Sequence, residues 1–136
     1  MAGDQVLAAL ERALRTTPRT GTLTALVRVG AIGGDVSVAE AMAEHIADAL
    51  RSHDVVEGLG DGVAVLLRGV QDLPNAVEVA HRVCAVAQRI GPACAGVTVL
   101  NTGEAIASVS LRAQGALDLA RDAGPGAVVS SPPLPA

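Results

Sequence analysis

The sequence contains no phenylalanine, tyrosine or tryptophan, and all ten of its basic residues are arginine. Without aromatic side chains to stack on bases, and with a formal charge of −4 at pH 7, the chain lacks the features of a nucleic-acid-binding surface. No apolar run approaches the roughly 20 residues that cross a bilayer, and no basic segment precedes an apolar stretch near the first residue. We therefore expect a cytoplasmic protein that binds neither nucleic acid nor membrane.

Cysteine and histidine are also scarce. Two cysteines, Cys84 and Cys94, are too few for a disulfide framework, and the three histidines make no short ligand spacing with them. This predicts no metal site and no cofactor. Small and branched aliphatic residues are abundant instead, because hydrophobic residues make up 50% of the 136-residue chain. That is enough apolar material for the core of one domain.

Hydrophobic periodicity and turn residues divide the chain into helices and strands. A glycine-rich turn, Gly58–Gly62, separates two short apolar segments and predicts a β-hairpin. Residues 1–130 are predicted to form one domain, followed by a frayed, proline-rich tail at 131–136. The predicted elements are helix 4–16, strand 23–32, a helix from Asp35 or Ser37 to about 52, strands 54–57 and 63–67, helix 72–90, strand 95–100, a helix capped by Ser108 or Ser110 and ending near 123, and strand 127–130.

This order contains a β-α-β-β-α-β string, preceded by one helix and followed by an α-β unit. Such a string predicts a ferredoxin-like core, in which a mixed sheet packs its helices on one face. We therefore predict an α+β fold with a mixed sheet of about five strands.

The hairpin segment 50–67 reads LRSHDVVEGLGDGVAVLL. It resembles the central hairpin of GGDEF domains, the diguanylate cyclase family, where a helix end L-R-x-x-D leads to R-L-G-G-D-E-F-A-V-L-L. Residues 115–124, GALDLARDAG, resemble that family's last helix, A-D-x-A-L-Y-x-A-K-x-x-G. The opening helix and the order of elements also agree, so the resemblance covers about residues 4–129 and implies a GGDEF-like version of the predicted fold.

Diguanylate cyclases condense two GTP molecules into cyclic di-GMP, and their carboxylates hold the Mg²⁺ that neutralises charge during phosphoryl transfer. One family ligand comes from a D-x-D at the end of the first strand, where this sequence has Arg28 between two valines. When the signature turn is aligned backwards from the second hairpin strand, Gly60 and Asp61 match the family and Gly62 stands where the glutamate belongs. When it is aligned forwards from the R-x-x-D segment, the turn is one residue short and Asp61 has no partner. We therefore predict no catalytic residues and no bound metal, that is, a degenerate domain and a pseudoenzyme.

A second family feature is retained. Cyclases carry an R-x-x-D inhibitory site for their product shortly before the signature, and Arg51 and Asp54 have that spacing here. An arginine pairs with the O6/N7 edge of guanine, and a carboxylate accepts from its N1–H and amino groups. We predict a ligand site at Arg51 and Asp54, with Gly60 and Asp61 as a remnant phosphate cradle. The alternative for Arg51 is a charge that favours the end of a helix, and the alternative for Asp54 is a cap of the following turn. The alternative for Gly60 and Asp61 is a tight turn that only needs positive φ.

The resulting hypothesis is a catalytically inactive GGDEF-like domain that acts as a binding or interaction module in bacterial signalling. Its ligand is cyclic di-GMP or a guanine nucleotide, and its protein partner is a second copy or another signalling protein. One alternative is a purely structural dimerisation domain without a small ligand. The other is a residual GTP-binding or GTP-hydrolysing enzyme that uses Asp61 and Arg28.

Overall fold

The computed structural model describes residues 4–15, 23–33, 36–50, 54–60, 62–101 and 103–131. The predicted order of helices and strands is confirmed across these ranges. No helix within them is long and apolar enough to cross a membrane. The elements are α1 (Asp4–Arg15), β1 (Leu23–Ala31), α2 (Val36–Ala49), β2 (Val55–Leu59), β3 (Gly62–Val70), α3 (Leu73–Gln88), β4 (Ala93–Val99), α4 (Ile106–Ala123) and β5 (Val128–Ser131).

The strands form one five-stranded mixed sheet, as predicted, and their order in this sheet is β2-β3-β1-β4-β5. The first four strands are antiparallel to their neighbours and make the ferredoxin-like core. Strand β5 is parallel to β4. A parallel neighbour needs a crossover connection rather than a tight turn, and α4 supplies it.

Both faces of the sheet are buried, which explains why β3 and β4 read as nearly continuous apolar runs. Residues of β1 alternate between the two faces: Val27 and Val29 pack with α2 and α3, whereas Leu26 packs with α1 and α4. The prediction that the two helices of the core share one face is confirmed for α2 and α3. Helices α1 and α4, which lie outside the β-α-β-β-α-β string, cover the other face.

The hairpin turn is shorter than the five residues predicted. Gly58 and Leu59 belong to β2, and Gly62 begins β3 as the partner of Leu59. Only two residues remain for the loop, and the first of them, Gly60, has a φ of +61°. A two-residue hairpin needs such left-handed backbone because its twist must match that of the flanking strands.

The predicted cap of α4 is wrong. The helix begins at Ile106, so Ser108 lies in its first turn, and the N-cap is Ala105, whose side chain makes no capping bond. The Ser108 hydroxyl donates instead to Oε2 of Glu104 at 2.6 Å. For α3, in contrast, Asp72 is the N-cap and accepts from the backbone N–H of Asn75 at 2.8 Å.

Two further predictions fall wholly or partly outside the described residues. A cap at Asp35 for α2 lies outside the described ranges, as do residues 132–136 of the predicted tail. Ser131, the first residue of that tail, is instead the last residue of β5. The remaining boundaries differ from prediction by a few residues, which is the usual uncertainty at fraying element ends.

Candidate functional site

Two of the four predicted ligand residues lie within the described ranges. Asp54 and Gly60 lie among the described residues, whereas Arg51 and Asp61 do not. Asp54 directly precedes β2, and its Oδ1 accepts the backbone N–H of Arg68 in β3 at 3.0 Å. Gly60 lies at the opposite end of β2, about 20 Å away at the rise of an extended strand. The structure therefore does not bring Asp54 and Gly60 together, and they belong to two separate regions.

A cavity of about 650 Å³ opens beside Asp54, between α2, α3 and the end of β3. Its volume lies within the range typical of small-molecule sites. Its base is apolar and includes Ile46, Leu67 and Val83. Leu50, the last described residue before Arg51, also lines it.

Two arginines that the sequence reasoning missed, Arg82 and Arg89, line the same cavity from α3. Both are exposed. They are seven residues apart, so they lie on one face of the helix, and Asn75 lies on that face one heptad earlier. This i, i+7, i+14 spacing can be read from the sequence and places the three polar side chains on one helix face, but it does not show which segments that face meets. The cavity thus combines a carboxylate, two guanidinium groups and an apolar base.

The hairpin tip forms the second region, beside the end of β1. Gly62 pairs with Gly30 in the β1–β3 ladder. A Cβ atom at Gly62 would lie less than 3.0 Å from the carbonyl oxygen of Val29, closer than real Cβ atoms come. The backbone therefore leaves no room for a side chain at the position where the resemblance places the signature glutamate.

Arg28 projects from β1 on the α4 side of the sheet. Its Nη1 donates to Oε1 of Gln114 at 3.3 Å, and Nε2 of Gln114 donates to Oδ1 of Asp118 at 2.9 Å. Arg121 lies 4.0 Å from the same carboxylate, and its guanidinium covers Gly30. Two guanidinium groups and one carboxylate thus lie beside β1, the strand at whose end the resemblance implies a metal ligand.

The thiol nearest this region is Cys94, whose Sγ lies 3.9 Å from the carbonyl oxygen of Gly30. Burial raises the pKa of Cys94, although Arg121 and the hydrogen bond to Gly30 act in the opposite direction. The group is therefore a neutral thiol at pH 7. Across the described ranges, no cluster of three or more His, Cys, Asp or Glu side chains is arranged to hold a metal ion.

Comparison of the sequence finds no matching family model and no matching curated protein. Comparison of the structure finds solved structures with a similar fold. An EAL/GGDEF domain protein from M. capsulatus matches with a TM-score of 0.72 at 21% identity, covering 96% of this chain and 99% of that one. The diguanylate cyclase SiaD from Pseudomonas aeruginosa, solved with its activator SiaC, matches at 0.70 and 18% identity, covering 93% of this chain and 56% of SiaD.

A microbial GGDEF domain, solved for its interaction with cyclic di-GMP, matches with a TM-score of 0.68 at 17% identity, covering 90% of this chain and 91% of that domain. This chain has the GGDEF-domain fold. The resemblance read from the hairpin and the last helix is therefore confirmed at the level of the fold. Because one fold supports different activities, the chemistry of this GGDEF fold has to be argued from its own side chains.

Proposed function

We propose that this GGDEF-fold domain is a catalytically inactive binding module in signalling, and that it binds cyclic di-GMP or another guanine nucleotide in the cavity between α2 and α3. The observation that carries the proposal is that Asp54, Arg82 and Arg89 line one cavity of about 650 Å³. The carboxylate accepts from the N1–H and amino groups of guanine, and the guanidinium groups pair with phosphate oxygens. The apolar base packs against the purine ring.

The proposed lack of catalytic activity rests on the residues near the other end of β2. Phosphoryl transfer between nucleotides needs a cation held against the phosphates. Arg28 occupies the strand position where the family supplies a metal ligand, and Gly62 lacks the space for a carboxylate. A fixed guanidinium repels Mg²⁺, so this arrangement favours binding over turnover.

Two of the similar structures support a ligand and a protein partner for a GGDEF fold in general. One is a GGDEF domain studied for its interaction with cyclic di-GMP, and the other is a cyclase bound to an activator protein. In our proposal the ligand of this chain is cyclic di-GMP or another guanine nucleotide. Its protein partner is a second copy or another signalling protein.

The test is a thermal-shift and calorimetric titration with cyclic di-GMP, GTP and GMP, with and without Mg²⁺, and with ATP for comparison. An extrinsic dye is needed because the chain has no tyrosine or tryptophan. A ligand that binds only the native state raises Tm. We expect a guanine-specific rise, and a loss of at least about tenfold in affinity for Asp54→Asn, since a hydrogen bond to a charged group contributes about 1.5–3 kcal/mol.

The matched control is Asp118→Asn, an exposed aspartate on the opposite face of the sheet, which should leave the affinity unchanged. Arg82→Gln and Arg89→Gln should weaken the binding of cyclic di-GMP more than that of guanosine, titrated in addition as a ligand without phosphate, because the two arginines act on the phosphates. Binding that Asp54→Asn leaves intact would place the ligand elsewhere. No shift with any guanine nucleotide at about millimolar concentration would favour the purely structural alternative, and GTP turnover abolished by Asp61→Ala would favour the residual enzyme.

A further inference from the structure

The outer face of α4 carries an apolar ridge that no other described part of the chain covers. Leu111 and Leu119 are 73% and 60% exposed, more than any other large hydrophobic residue in the described ranges. They lie one helical turn on either side of Gly115, which is exposed as well. The ridge continues with the same spacing of four at both ends and consists of Ala107, Leu111, Gly115, Leu119 and Ala123, all of them exposed.

Gly115 has no role in packing within the domain. A Cβ atom there would meet no atom within 4 Å, so alanine would fit the fold equally well. Glycine is the least favourable residue in a helix interior apart from proline. The distance between two packed helices depends on the side chains at their contact. A glycine at the centre of an exposed ridge is therefore explained if the backbone of another helix approaches closely at that point.

The ridge is self-complementary, which points to a second copy of this chain as the occupant. It reads Ala-Leu-Gly-Leu-Ala in either direction. A two-fold axis through Gly115 brings Leu111 of each copy against Leu119 of the other and the two glycines face to face. An isologous interface requires a surface that complements itself in this way. Ridges of residues four apart also interdigitate in the commonest class of helix packing, with a crossing angle of about −50°.

The distribution of charge beside the ridge selects the antiparallel arrangement. Asp118 and Asp122 flank its C-terminal half and are exposed. The N-terminal half carries no exposed carboxylate, because Glu104 is buried and paired with Arg112 at 2.5 Å. An antiparallel pair places the aspartates of each copy beside the positive end of the other helix dipole. A parallel pair would bring the aspartates of the two copies together.

We propose that α4 forms the interface of a symmetric dimer, in which two copies of this chain pack antiparallel across Gly115. The α2–α3 cavity lies on the opposite face of the sheet. The proposed dimer and the proposed nucleotide site can therefore be tested independently, and disproof of one would not disprove the other.

Cross-linking tests the register. Cys84 and Cys94 are both buried, so only an introduced cysteine is available for an intermolecular disulfide. Gly115→Cys should give a covalent dimer on mild oxidation, because residue 115 lies opposite itself. A mixture of the Leu111→Cys and Leu119→Cys variants should cross-link to each other better than either does to itself. The control Val36→Cys, at an exposed position on α2, should give no covalent dimer under the same oxidation, because residue 36 lies outside the proposed interface.

Sedimentation of the unmodified chain over a concentration series tests the interface itself. We expect a reversible monomer–dimer equilibrium, weakened at least tenfold by Leu111→Glu combined with Leu119→Glu. The matched control Val36→Glu should leave the dimer unchanged, and circular dichroism confirms that each variant is folded. A monomer at every concentration up to about 1 mM, open-ended oligomers, or a dimer that survives the double glutamate variant would each overturn the proposal.

Discussion

At the scale of single residues, Glu104 ties the start of α4 to the rest of the domain. Arg112 donates from Nε to Oε2 at 3.0 Å and from Nη2 to Oε1 at 2.5 Å, while Nη2 also donates to the carbonyl of Val99 at 3.0 Å. Burial alone would raise the pKa of Glu104. The hydrogen bonds from Arg112, Ser108 and the N–H of Asn101 outweigh it and lower that pKa below its usual value.

We predict that Glu104→Gln lowers the free energy of unfolding at pH 7 by about 3–5 kcal/mol, since it leaves the buried guanidinium of Arg112 without its counter-charge. Because the pKa of Glu104 is lower in the folded than in the unfolded state, the charged carboxylate stabilises the fold fully above its unfolded pKa of about 4.3. This stabilisation is lost as the pH falls through the lower pKa of the folded state. The difference between wild type and variant should therefore shrink below about pH 4. Urea titrations followed by circular dichroism between pH 7 and pH 3 measure it.

Glu40→Gln, at an exposed position on α2, is the matched control and should change stability by less than about 0.5 kcal/mol at every pH. If Glu104→Gln lowers the free energy of unfolding by the same amount at pH 3 as at pH 7, the role assigned to the ionised carboxylate is contradicted.

At the scale of elements, α4 lies directly on β4 at a glycine. A Cβ atom at Gly96 would lie 2.7 Å from the carbonyl carbon of Ala116 and 2.9 Å from Cα of Leu117, both backbone atoms of α4. Backbone cannot rotate out of the way as a flexible side chain can, so the helix would have to move. The absence of a side chain at Gly96 therefore sets how closely the crossover helix packs on the sheet.

We predict that Gly96→Ala destabilises the domain by about 1–3 kcal/mol or more, because overpacking forces the backbone to shift. The matched control is Gly58→Ala in β2, where a Cβ atom would meet nothing within 4 Å. It should be neutral or slightly stabilising, because alanine lowers the entropy of the unfolded chain. Urea denaturation compares the two. Equal stability of both variants would show that α4 does not pack on β4 at this distance.

At the scale of the whole molecule, one sheet separates an apolar core on its α2–α3 face from a second core on its α1–α4 face, which consists of two clusters. Each face contains one cysteine. Cys84 packs with α2 and α3, whereas Cys94 packs under α4. Burial raises the pKa of Cys84 to about 11, with a smaller contribution from Cys94. Only about one Cys84 thiol in a thousand is then a thiolate at pH 8, so the native protein should react very slowly with thiol reagents.

Because every strand contributes to both cores, we predict that the two faces unfold together. In single-cysteine variants, Cys84→Ala and Cys94→Ala, the remaining thiol should become reactive with Ellman's reagent at the urea concentration where the circular dichroism signal is lost, as two-state unfolding requires. A thiol that reacts at lower urea while the ellipticity is retained would mean that one helical layer opens by itself.

The sequence by itself determined the order of the elements, the mixed sheet and the position of the hairpin. These follow from local information: periods of 2 and 3.6 in the apolar residues, and glycine and proline at the turns. The same local reasoning was wrong at Ser108 and Ser110, because a serine hydroxyl that bonds a carboxylate such as Glu104 is indistinguishable in sequence from one that caps a helix. The length of the hairpin loop was also wrong, because Gly58 and Gly62 read as turn residues although strand pairing includes them.

Tertiary structure decided which side chains meet. Asp54 was predicted from its spacing to Arg51, but the approach of Arg82 and Arg89 to the same cavity depends on how α3 lies against α2 and β3. In the same way, only the packed structure shows that Gly62 and Gly96 have no room for a side chain while Gly115 has space around it. Periodicity constrains residues a few positions apart, whereas contacts between distant segments arise from the packing of whole helices on a sheet, and no local pattern records that packing.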